Sequence, residues 1–280
     1  MAIRTWLITG AGRGLGRAFV DGVLAHGDRV IATARMPEAL ASELEPHGDQ
    51  ALVLALDVND SAAVDSAVGR ALDQMGQLDV VVNNAGYGLS GGVEEVTEAQ
   101  ARAQFDTNFF GPLWVTQAVL PHMRARRSGH IIQISSIGGL TTSPNLGIYA
   151  ASKWALEAMS EALAGEIAPL GIKVTIVEPS GFPTDWGGSS MERATPIDDY
   201  DEVLATTRQA LAGVLSPSMK AGDPLLAAER LIEIVEHPEP PLRLLLGNMA
   251  FDLATAAYQN RLRGFEEWEA VSRSVDAASV

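Results

Sequence analysis

Short apolar runs alternate with helical patterns along the chain, and this alternation limits the possible folds more than any other feature. Strand-like runs lie near residues 3–9, 29–34, 51–56, 78–83, 129–135, 172–178 and 241–246. When strands and helices alternate in this way, the strands form a parallel sheet and the helices cover both of its faces. We therefore expect an α/β fold.

Two helices are marked by where they end. One begins near Leu15 and ends at His26–Gly27, and the other begins near Tyr149 and ends at Leu170–Gly171. Glycine commonly follows a helix because it adopts the left-handed conformation that closes the last turn. These are the helices whose bounds the sequence defines best.

No linker or internal repeat divides the chain, so residues 1–280 are expected to form one domain. The longest irregular stretch runs from about Gly181 to Gly222 and contains three prolines. Such segments are often active-site lids, which predicts a substrate loop over about 182–222, with a surface insertion as the alternative. Residues 248–280 form a helical extension with an apolar stripe of Phe251, Leu253, Tyr258, Leu262, Phe265 and Trp268. Core packing is the commoner fate of such a stripe, although it could cover a neighbouring subunit or a pocket.

Composition and charge exclude several kinds of function. The sequence contains no cysteine, which rules out disulfides and thiolate sites and fits a cytoplasmic protein. A formal charge of −15 would repel nucleic acid. The apolar runs are shorter than the ~20 residues that span a bilayer, and we expect no secretory leader before the first strand. The histidines form no ligand pair at helical spacing, so no metal site is expected.

A glycine-rich turn joins the first strand to the first helix. It reads Thr9-Gly10-Ala11-Gly12-Arg13-Gly14-Leu15-Gly16. Glycines let the backbone approach a pyrophosphate, whose charge is stabilised by the exposed amides of the helix. The spacing T-G-x-x-x-G-x-G resembles the short-chain dehydrogenase/reductase family, although glycine turns also follow strands for structural reasons alone. The resemblance implies a doubly wound Rossmann-type sheet of about seven strands, with cofactor contacts at Gly10, Gly14, Leu15 and Gly16.

Two further motifs follow the third and fourth strands. They are Asp57-Val58 and Asn83-Asn84-Ala85-Gly86, at the positions of the family's adenine-side contact and its N-N-A-G signature. In a parallel sheet the carboxyl ends of the strands share the edge where ligands bind. We expect cofactor contacts from Asp57, Val58, Asn84, Ala85 and Gly86. Asp57 could instead cap a helix, and for Asn83 and Asn84 a structural role is an equal alternative.

The second strand indicates which nicotinamide cofactor is bound. NAD sites of this architecture usually place an acidic side chain at its end, but here Ala34 is followed by Arg35. A guanidinium binds the 2′-phosphate of NADP with paired hydrogen bonds. Arg13 stands where NADP-preferring family members often carry a second basic residue. Either arginine alone could be a solvated surface charge, but together they favour NADP(H) over NAD(H).

The residues that indicate chemistry are Ser135-Ser136 after the fifth strand and Tyr149-Ala150-Ala151-Ser152-Lys153 at the start of a helix. Tyr149 and Lys153 lie four residues apart, on one helix face. An ammonium ~4 Å away at an effective dielectric of ~20 contributes up to ~4 kcal/mol, enough to bring a tyrosine pKa from ~10 toward neutrality. We therefore expect Lys153 to tune Tyr149 for acid/base work.

The same residues match the catalytic arrangement of the family. By resemblance, Ser136 hydrogen-bonds the substrate oxygen, Tyr149 donates or accepts its proton, and Lys153 also holds the nicotinamide ribose. Asn108 matches the residue that organises a proton relay to that lysine. Each of these residues alone has a structural alternative, such as a turn serine or a packed polar side chain.

A segment after the sixth strand resembles the family's P-G-x-x-x-T motif, which contacts the nicotinamide carboxamide. It implies cofactor contacts at Pro179, Gly181 and Thr184. Ser180 departs from the family pattern, because it stands where a glycine is expected. A side chain there restricts the backbone, which weakens the assignment of Thr184.

These features predict an NADP(H)-dependent oxidoreductase that transfers a hydride between nicotinamide and a carbonyl or secondary alcohol. An apolar pocket is expected from Tyr87, Leu146, Phe182, Trp186 and Met191, which suggests a hydrophobic substrate. These side chains could equally belong to the core. A non-catalytic NADP(H)-binding sensor or scaffold is the alternative function, and an epimerase or dehydratase of the extended group would need a longer chain. Resemblance to the family further implies a homodimer or homotetramer that pairs helices near 104–126 and 150–170.

Overall fold

The structure is a computed structural model that describes residues 3–183, 188, 190–214 and 222–276. These residues form a sheet of seven parallel strands in the order β3-β2-β1-β4-β6-β7-β9, and a second sheet of two short strands, β5 and β8. The strands are β1 Thr5–Ile8, β2 Arg29–Ala34, β3 Ala51–Ala55, β4 Val80–Asn83, β5 Leu89–Ser90, β6 Gly129–Ile134, β7 Ile172–Pro179, β8 Glu192–Arg193 and β9 Arg243–Leu246. The seven-stranded sheet confirms the expected doubly wound fold.

Helices cover both faces of the sheet. They are α1 Gly14–His26, α2 Glu38–Leu44, α3 Ser61–Met75, α4 Glu98–Phe105, α5 Gly111–Arg126, α6 Gly147–Ile167, α7 Asp198–Val214, α8 Pro224–Glu236, α9 Asn248–Glu267 and α10 Glu269–Arg273. Both predicted glycine caps are present: Gly27 closes α1 with φ 92°, and Gly171 follows a short 3₁₀ turn after α6 with φ 74°.

Neighbouring residues of each central strand point to opposite faces of the sheet. Trp6 and Ile8 of β1 pack in a cluster beneath α1 and α8, while Leu7 between them packs in a cluster beneath α3, α5 and α6. Because both faces are covered, most residues on both faces of the strands are apolar. This explains why they are continuous apolar runs in the sequence.

The chain changes direction across the sheet between β1 and β4. Strands β2 and β3 extend to one side of β1, and β6, β7 and β9 extend to the other side of β4. In open α/β sheets this reversal leaves a crevice outside the carboxyl ends of the two central strands. The glycine turn follows β1, and Asn84 follows β4, so both lie at this crevice.

The expectation that residues 181–222 are irregular throughout is wrong. The segment contains β8, which pairs in parallel with β5, and the seventeen-residue helix α7. The first turn of α7 carries Asp198, Asp199 and Asp201. Carboxylates there stabilise the helix, because they offset the positive end of its dipole.

The C-terminal helix does not bury its apolar stripe in the core, contrary to the commoner expectation. Phe251 is 61% exposed and Trp268 is 64% exposed, while the buried residues of α9 are Ala250 and Ala254. Arg261 lies over the ring of Trp154, 4.6 Å from its centroid, and so links α9 to α6.

Candidate active site

The glycine turn is shaped by close approach to the segment after β4. Gly10 adopts φ 65°, and a Cβ atom built on it would lie 2.8 Å from Ala85 Cα. A Cβ on Gly16 would lie 2.4 Å from both Gly10 O and Asn84 Nδ2. Side chains at these two positions would therefore push the turn away from β4.

The start of α1 is open to an anion. Arg13 is the extended N-cap residue, and its side chain makes no capping hydrogen bond to the helix. Gly14 follows with φ 58°, and a Cβ on Gly12 would meet only Ala34 Cβ, at 3.6 Å. Helix amides that lack side-chain acceptors suit the charge of a pyrophosphate, so the turn fits a dinucleotide.

Asn84 holds the turn in place rather than pointing into open space. Its Nδ2 donates to Thr9 O at 2.9 Å and to Gly10 O at 3.1 Å. Thr9, which the sequence did not single out for this role, accepts hydrogen bonds at Oγ1 from the amides of Asn84 and Ala85, at 3.0 and 3.1 Å. Asn83 is likewise structural, since its Nδ2 donates to Thr116 Oγ1 at 3.1 Å.

The predicted adenine side contains both open and packed residues. The exposed Asp57 accepts a hydrogen bond from Asn59 N at 3.0 Å, whereas Val58 is buried against Gly111. Arg13 and Arg35 are both exposed, after the adjacent strands β1 and β2. The two arginines therefore share the sheet edge with the glycine turn.

Ser136, Tyr149 and Lys153 come together at the carboxyl end of β6. Ser136 Oγ accepts a hydrogen bond from Gly138 N at 3.0 Å, and the Ser136 side chain is hydrogen-bonded to that of Tyr149. Lys153 Nζ donates to Ile134 O at 2.9 Å. All three side chains are buried, so the predicted constellation is assembled by β6 and the first turns of α6.

The pKa of Tyr149 differs from the value expected from the sequence. Burial raises the pKa of Tyr149 to about 12, and the hydrogen bond from Ser136 lowers it only in part. Burial lowers the pKa of Lys153 to about 8, while Glu157 acts in the opposite direction. The expected fall of the tyrosine pKa is therefore not seen, because removing the phenolate from water outweighs the stabilising contacts.

Asn108 connects the lysine to the loop after β4. It lies in a π-helical turn, Asp106–Phe110, a local form often found at functional sites. Its Nδ2 donates to Tyr87 O at 3.0 Å and to Ser152 Oγ at 3.2 Å, and its Oδ1 accepts from Tyr87 N at 3.1 Å. A Cβ on Gly86 would lie 3.1 Å from Asn108 Oδ1 and 3.6 Å from Lys153 Nζ. Gly86 thus lets this loop approach the lysine.

Three of the five predicted pocket residues lie around β5. Tyr87 precedes this strand, Met191 precedes its partner β8, and Leu146 follows Asn145, whose carbonyl accepts a hydrogen bond from Gly91 N at 2.9 Å. Phe182 instead packs against the core cluster beneath α1 and α8. Trp186 lies outside the described residues, as does Thr184.

The end of β7 is compatible with serine in place of glycine. Ser180 does not adopt a positive φ, and its Oγ donates to Leu246 O at 3.3 Å. Pro179 is buried at the end of the strand, and Gly181 O accepts a hydrogen bond from Gly222 N at 3.0 Å. Serine therefore fits the backbone at this position, and its side chain joins β7 to β9.

Glu95, which no sequence motif indicated, ties the segment after β8 to the site. Its carboxylate accepts from Gly92 N at 2.7 Å, from Ile197 N at 3.0 Å and from Arg208 of α7. Burial raises the pKa of Glu95, but these hydrogen bonds more than reverse that effect and leave the pKa lowered. Glu95 therefore stays ionised and holds α7 beside β5.

The described part of the chain has neither a candidate metal cluster nor a candidate membrane-spanning helix. It contains no group of three or more histidine, aspartate or glutamate side chains arranged to hold a metal ion. It also contains no helix with the length and apolarity to cross a bilayer.

The fold and the site together define an oxidoreductase of the dinucleotide-binding type. The family model for the short chain dehydrogenase matches residues 4–194. The chain is also 39% identical over 270 residues to oxidoreductase BOA17 of Botryotinia fuckeliana, which covers 96% of this chain and 98% of that protein. This chain therefore belongs to the short-chain dehydrogenase family.

Solved structures agree with this assignment. A short-chain dehydrogenase from Streptomyces avermitilis is 40% identical, with a TM-score of 0.91 over 99% of this chain and 100% of that chain. ElxO with NADP bound shares the fold at 24% identity and a TM-score of 0.73, over 90% of this chain and 100% of its own. A short-chain dehydrogenase/reductase from Burkholderia phymatum in complex with NAD is 25% identical, with a TM-score of 0.78 over 99% of this chain and 98% of that chain. Both nicotinamide cofactors thus occur among its structural neighbours.

Proposed function

We propose that this chain is an NADP(H)-dependent oxidoreductase that transfers a hydride between nicotinamide and a hydrophobic ketone, aldehyde or secondary alcohol, with Tyr149 as the general acid/base. The observation that carries the proposal is the hydrogen bond between Ser136 and Tyr149 beside the buried ammonium of Lys153. A phenol held in this way can exchange a proton with a substrate oxygen, and the lysine one helical turn away can offset the charge left on it.

The sheet edge offers the groups that a dinucleotide needs. The turn at Gly10, Gly14, Leu15 and Gly16 would hold the pyrophosphate, with Asp57 and Val58 on the adenine side. Asn84, Ala85 and Gly86 would shape the middle of the site, and Pro179, Gly181 and Thr184 would lie toward the nicotinamide. When bound, NADP(H) supplies or accepts the hydride. Arg13 and Arg35 support NADP(H) over NAD(H), because both are exposed on the same edge and β2 ends without an acid.

The protonation states support reduction of a carbonyl. With a pKa of about 12, Tyr149 carries its proton at neutral pH and can give it to a substrate oxygen that has accepted a hydride. Ser136 orients the phenol, and the Lys153 ammonium offsets the negative charge left on it. Asn108 holds the backbone of Tyr87, and with it the neighbouring Gly86, which lies close to this lysine.

A hydrophobic substrate is supported by the apolar side chains around β5. Tyr87 and Leu146 are half-buried, and Met191 is 5% exposed, around the same short strand. Their apolar surface suits a carbonyl compound with aliphatic or aromatic substituents. The segment fixed by Glu95 would cover this compound.

An assay of nicotinamide absorbance with a panel of carbonyls and alcohols, run with NADPH and with NADH, tests the proposal. We expect turnover with NADPH and a loss of about 10²-fold or more in Tyr149→Phe, whereas Tyr258→Phe on the exposed face of α9 should match the parent. NADPH binding without turnover of any compound would instead support the sensor or scaffold. A Tyr149→Phe variant as active as the parent would remove the proposed acid.

We further infer a cytoplasmic homodimer or homotetramer. The rings of Phe110 and Trp114 stack at 5.8 Å, and Phe110 and the α6 residue Trp154 are 37% and 41% exposed. Aromatic surface of this kind is typical of subunit interfaces. Light scattering coupled to gel filtration would give the mass, and a monomer would contradict this inference.

A further inference from the structure

A pair of buried carboxyl groups lies behind Lys153. Glu157 is one helical turn further along α6, and Glu178 lies in β7; their side chains are 6% and 0% exposed. Both are hydrogen-bonded to Arg243 of β9, at 2.9 Å for Glu178 Oε1. The second terminal nitrogen of Arg243 donates to Glu161 at 2.8 Å. One guanidinium therefore serves two buried carboxyls and a third that is exposed.

The two buried carboxyls accept hydrogen bonds from the same nitrogen of Arg243, Nη1, so they lie close together where little water reaches them. Glu178 Oε2 is buried and receives no hydrogen bond from the described residues. A proton on this oxygen would make it a hydrogen-bond donor. Burial and the repulsion between like charges raise the pKa of both carboxyls, which favours a single proton held by the pair.

Few other charged groups face this pair. From α6 these are Lys153 and Glu161, and from β9 Arg243; the end of β6 contributes the hydroxyl of Ser135. Helix α9 packs on β9 and on the turn 137–139, but its buried residues are alanines. Lys153 donates to a backbone carbonyl, and Glu157 lies one helical turn beyond it on α6, with both side chains buried. The charge of Glu157 therefore reaches the active-site lysine.

We propose that Glu157 is a positioning residue that keeps Lys153 charged, and that Glu178 stores the proton that lets two buried carboxyls coexist behind the site. The inference rests on the proposed function, in which Lys153 offsets charge on Tyr149. Burial and the neighbouring Glu157 raise the pKa of Glu178 to about 7. Loss of the stored proton near neutral pH then adds a negative charge behind Lys153. Lys153 in turn holds its own proton more firmly.

The sequence permits a direct test, because it contains only three lysines, Lys153, Lys173 and Lys220. In protein labelled with ¹³C and ¹⁵N lysine, the Lys153 signal can be assigned with Lys153→Arg and titrated by NMR. Glu157→Gln should lower the measured pKa of Lys153 by about one pH unit. Glu178→Gln should leave Glu157 ionised and remove a step near pH 7 from the Lys153 titration. Glu161→Gln, which changes the exposed partner of Arg243, should leave the titration unchanged.

Activity gives a second readout. In Glu157→Gln the alkaline limb of the kcat/KM profile should move down with the lysine pKa, giving about five-fold lower activity at pH 8. A simple packing defect would lower kcat/KM equally at all pH values. The proposal is overturned if the Lys153 titration is the same in Glu157→Gln and Glu161→Gln. If Glu157→Gln does not fold, the NMR titration of Lys153 in the parent protein is the test. A titration curve without a step near pH 7 overturns the proposal. If Glu157→Gln lowers the pKa of Lys153 but Tyr149→Phe keeps full activity, the proposed function is refuted and the role of Glu157 is not.

Discussion

Glu95 and Arg208 form an ion pair that joins the loop after β5 to helix α7, and the Glu95 side chain is only 1% exposed. We expect Arg208→Met to release α7 from the site. The KM for a hydrophobic carbonyl should rise several-fold with a smaller change in kcat, because the loosened segment covers substrate but performs no chemistry. Steady-state kinetics measure the split between the two constants.

Asp201→Asn is the matched control for this prediction. Asp201 is the other partner of Arg208, but its side chain is 62% exposed. Exposed ion pairs contribute little, so this variant should behave as the parent. Equal effects of the two substitutions would mean that the buried pair does not hold the segment.

The buried Lys153 should make the protein less stable at neutral pH than it would be without the charge. Its pKa is about 8 when folded and about 10.5 when unfolded, so burial of the ammonium is unfavourable by up to about 3 kcal/mol below pH 8, and this penalty disappears as pH rises from 8 to 10.5. Lys153→Met should raise the free energy of unfolding at pH 7 and gain less at pH 10. Denaturant titrations at both pH values measure this.

Lys173→Met provides the comparison, because Lys173 is exposed and donates to Pro238 O at 2.8 Å. It should show no gain at either pH. A Lys153→Met variant that is no more stable than Lys173→Met at pH 7 would contradict the assignment of a buried charge.

Cofactor preference should depend on Arg13 and Arg35 together. Arg35→Asp offers a carboxylate to a ribose hydroxyl and repels a 2′-phosphate, so the ratio of kcat/KM for NADPH to that for NADH should fall by about 10²-fold. Arg13→Ser should lower it by less. Arg102→Ser changes an exposed arginine of α4 that pairs with Glu98, and should leave the ratio unchanged. An unaltered ratio in Arg35→Asp would reject the NADP(H) assignment.

The hydroxyl of Thr9 should contribute more to stability than that of Thr33, although both are 1% exposed. Thr9→Val leaves the partly buried amides of Asn84 and Ala85 without their acceptor, which should lower the free energy of unfolding by about 1–3 kcal/mol. Thr33 Oγ1 has no hydrogen-bond partner among the described residues, so Thr33→Val should be neutral or stabilising. Thermal unfolding of the two variants would show whether they differ.

The features that sequence could predict are those with a period or a fixed spacing. The long strands are mostly apolar because both faces are buried, and glycine closes α1 and the 3₁₀ turn after α6. Ser136, Tyr149 and Lys153 have the family spacing, and the structure brings them together. Strands of two residues, such as β5 and β8, have no detectable period. Helix α7 was missed even though three aspartates at its start, just after Pro196, were an available signal.

The sequence also could not predict the pKa values and the partners of the buried ionisable side chains. The four-residue spacing of Tyr149 and Lys153 showed that they share a helix face, but not that both would be fully buried or that the amine would donate to Ile134 O. Burial decides the direction of both pKa changes. Likewise, nothing local to Glu157 or Glu178 indicates that Arg243, more than sixty residues further along, would lie between them.

The hydrogen bonds from Asn84 to Thr9 and Gly10 join segments about 75 residues apart. Parallel strands are joined by long crossover connections, so the pairing of β4 with β1 depends on segments far apart in the chain. The turn that would receive a pyrophosphate thus acquires its final shape only when the two halves of the sheet have joined. A ligand bound at this turn would stabilise the state in which β1 and β4 are paired. The protease resistance of the central sheet would then measure the fraction of the protein that has ligand bound.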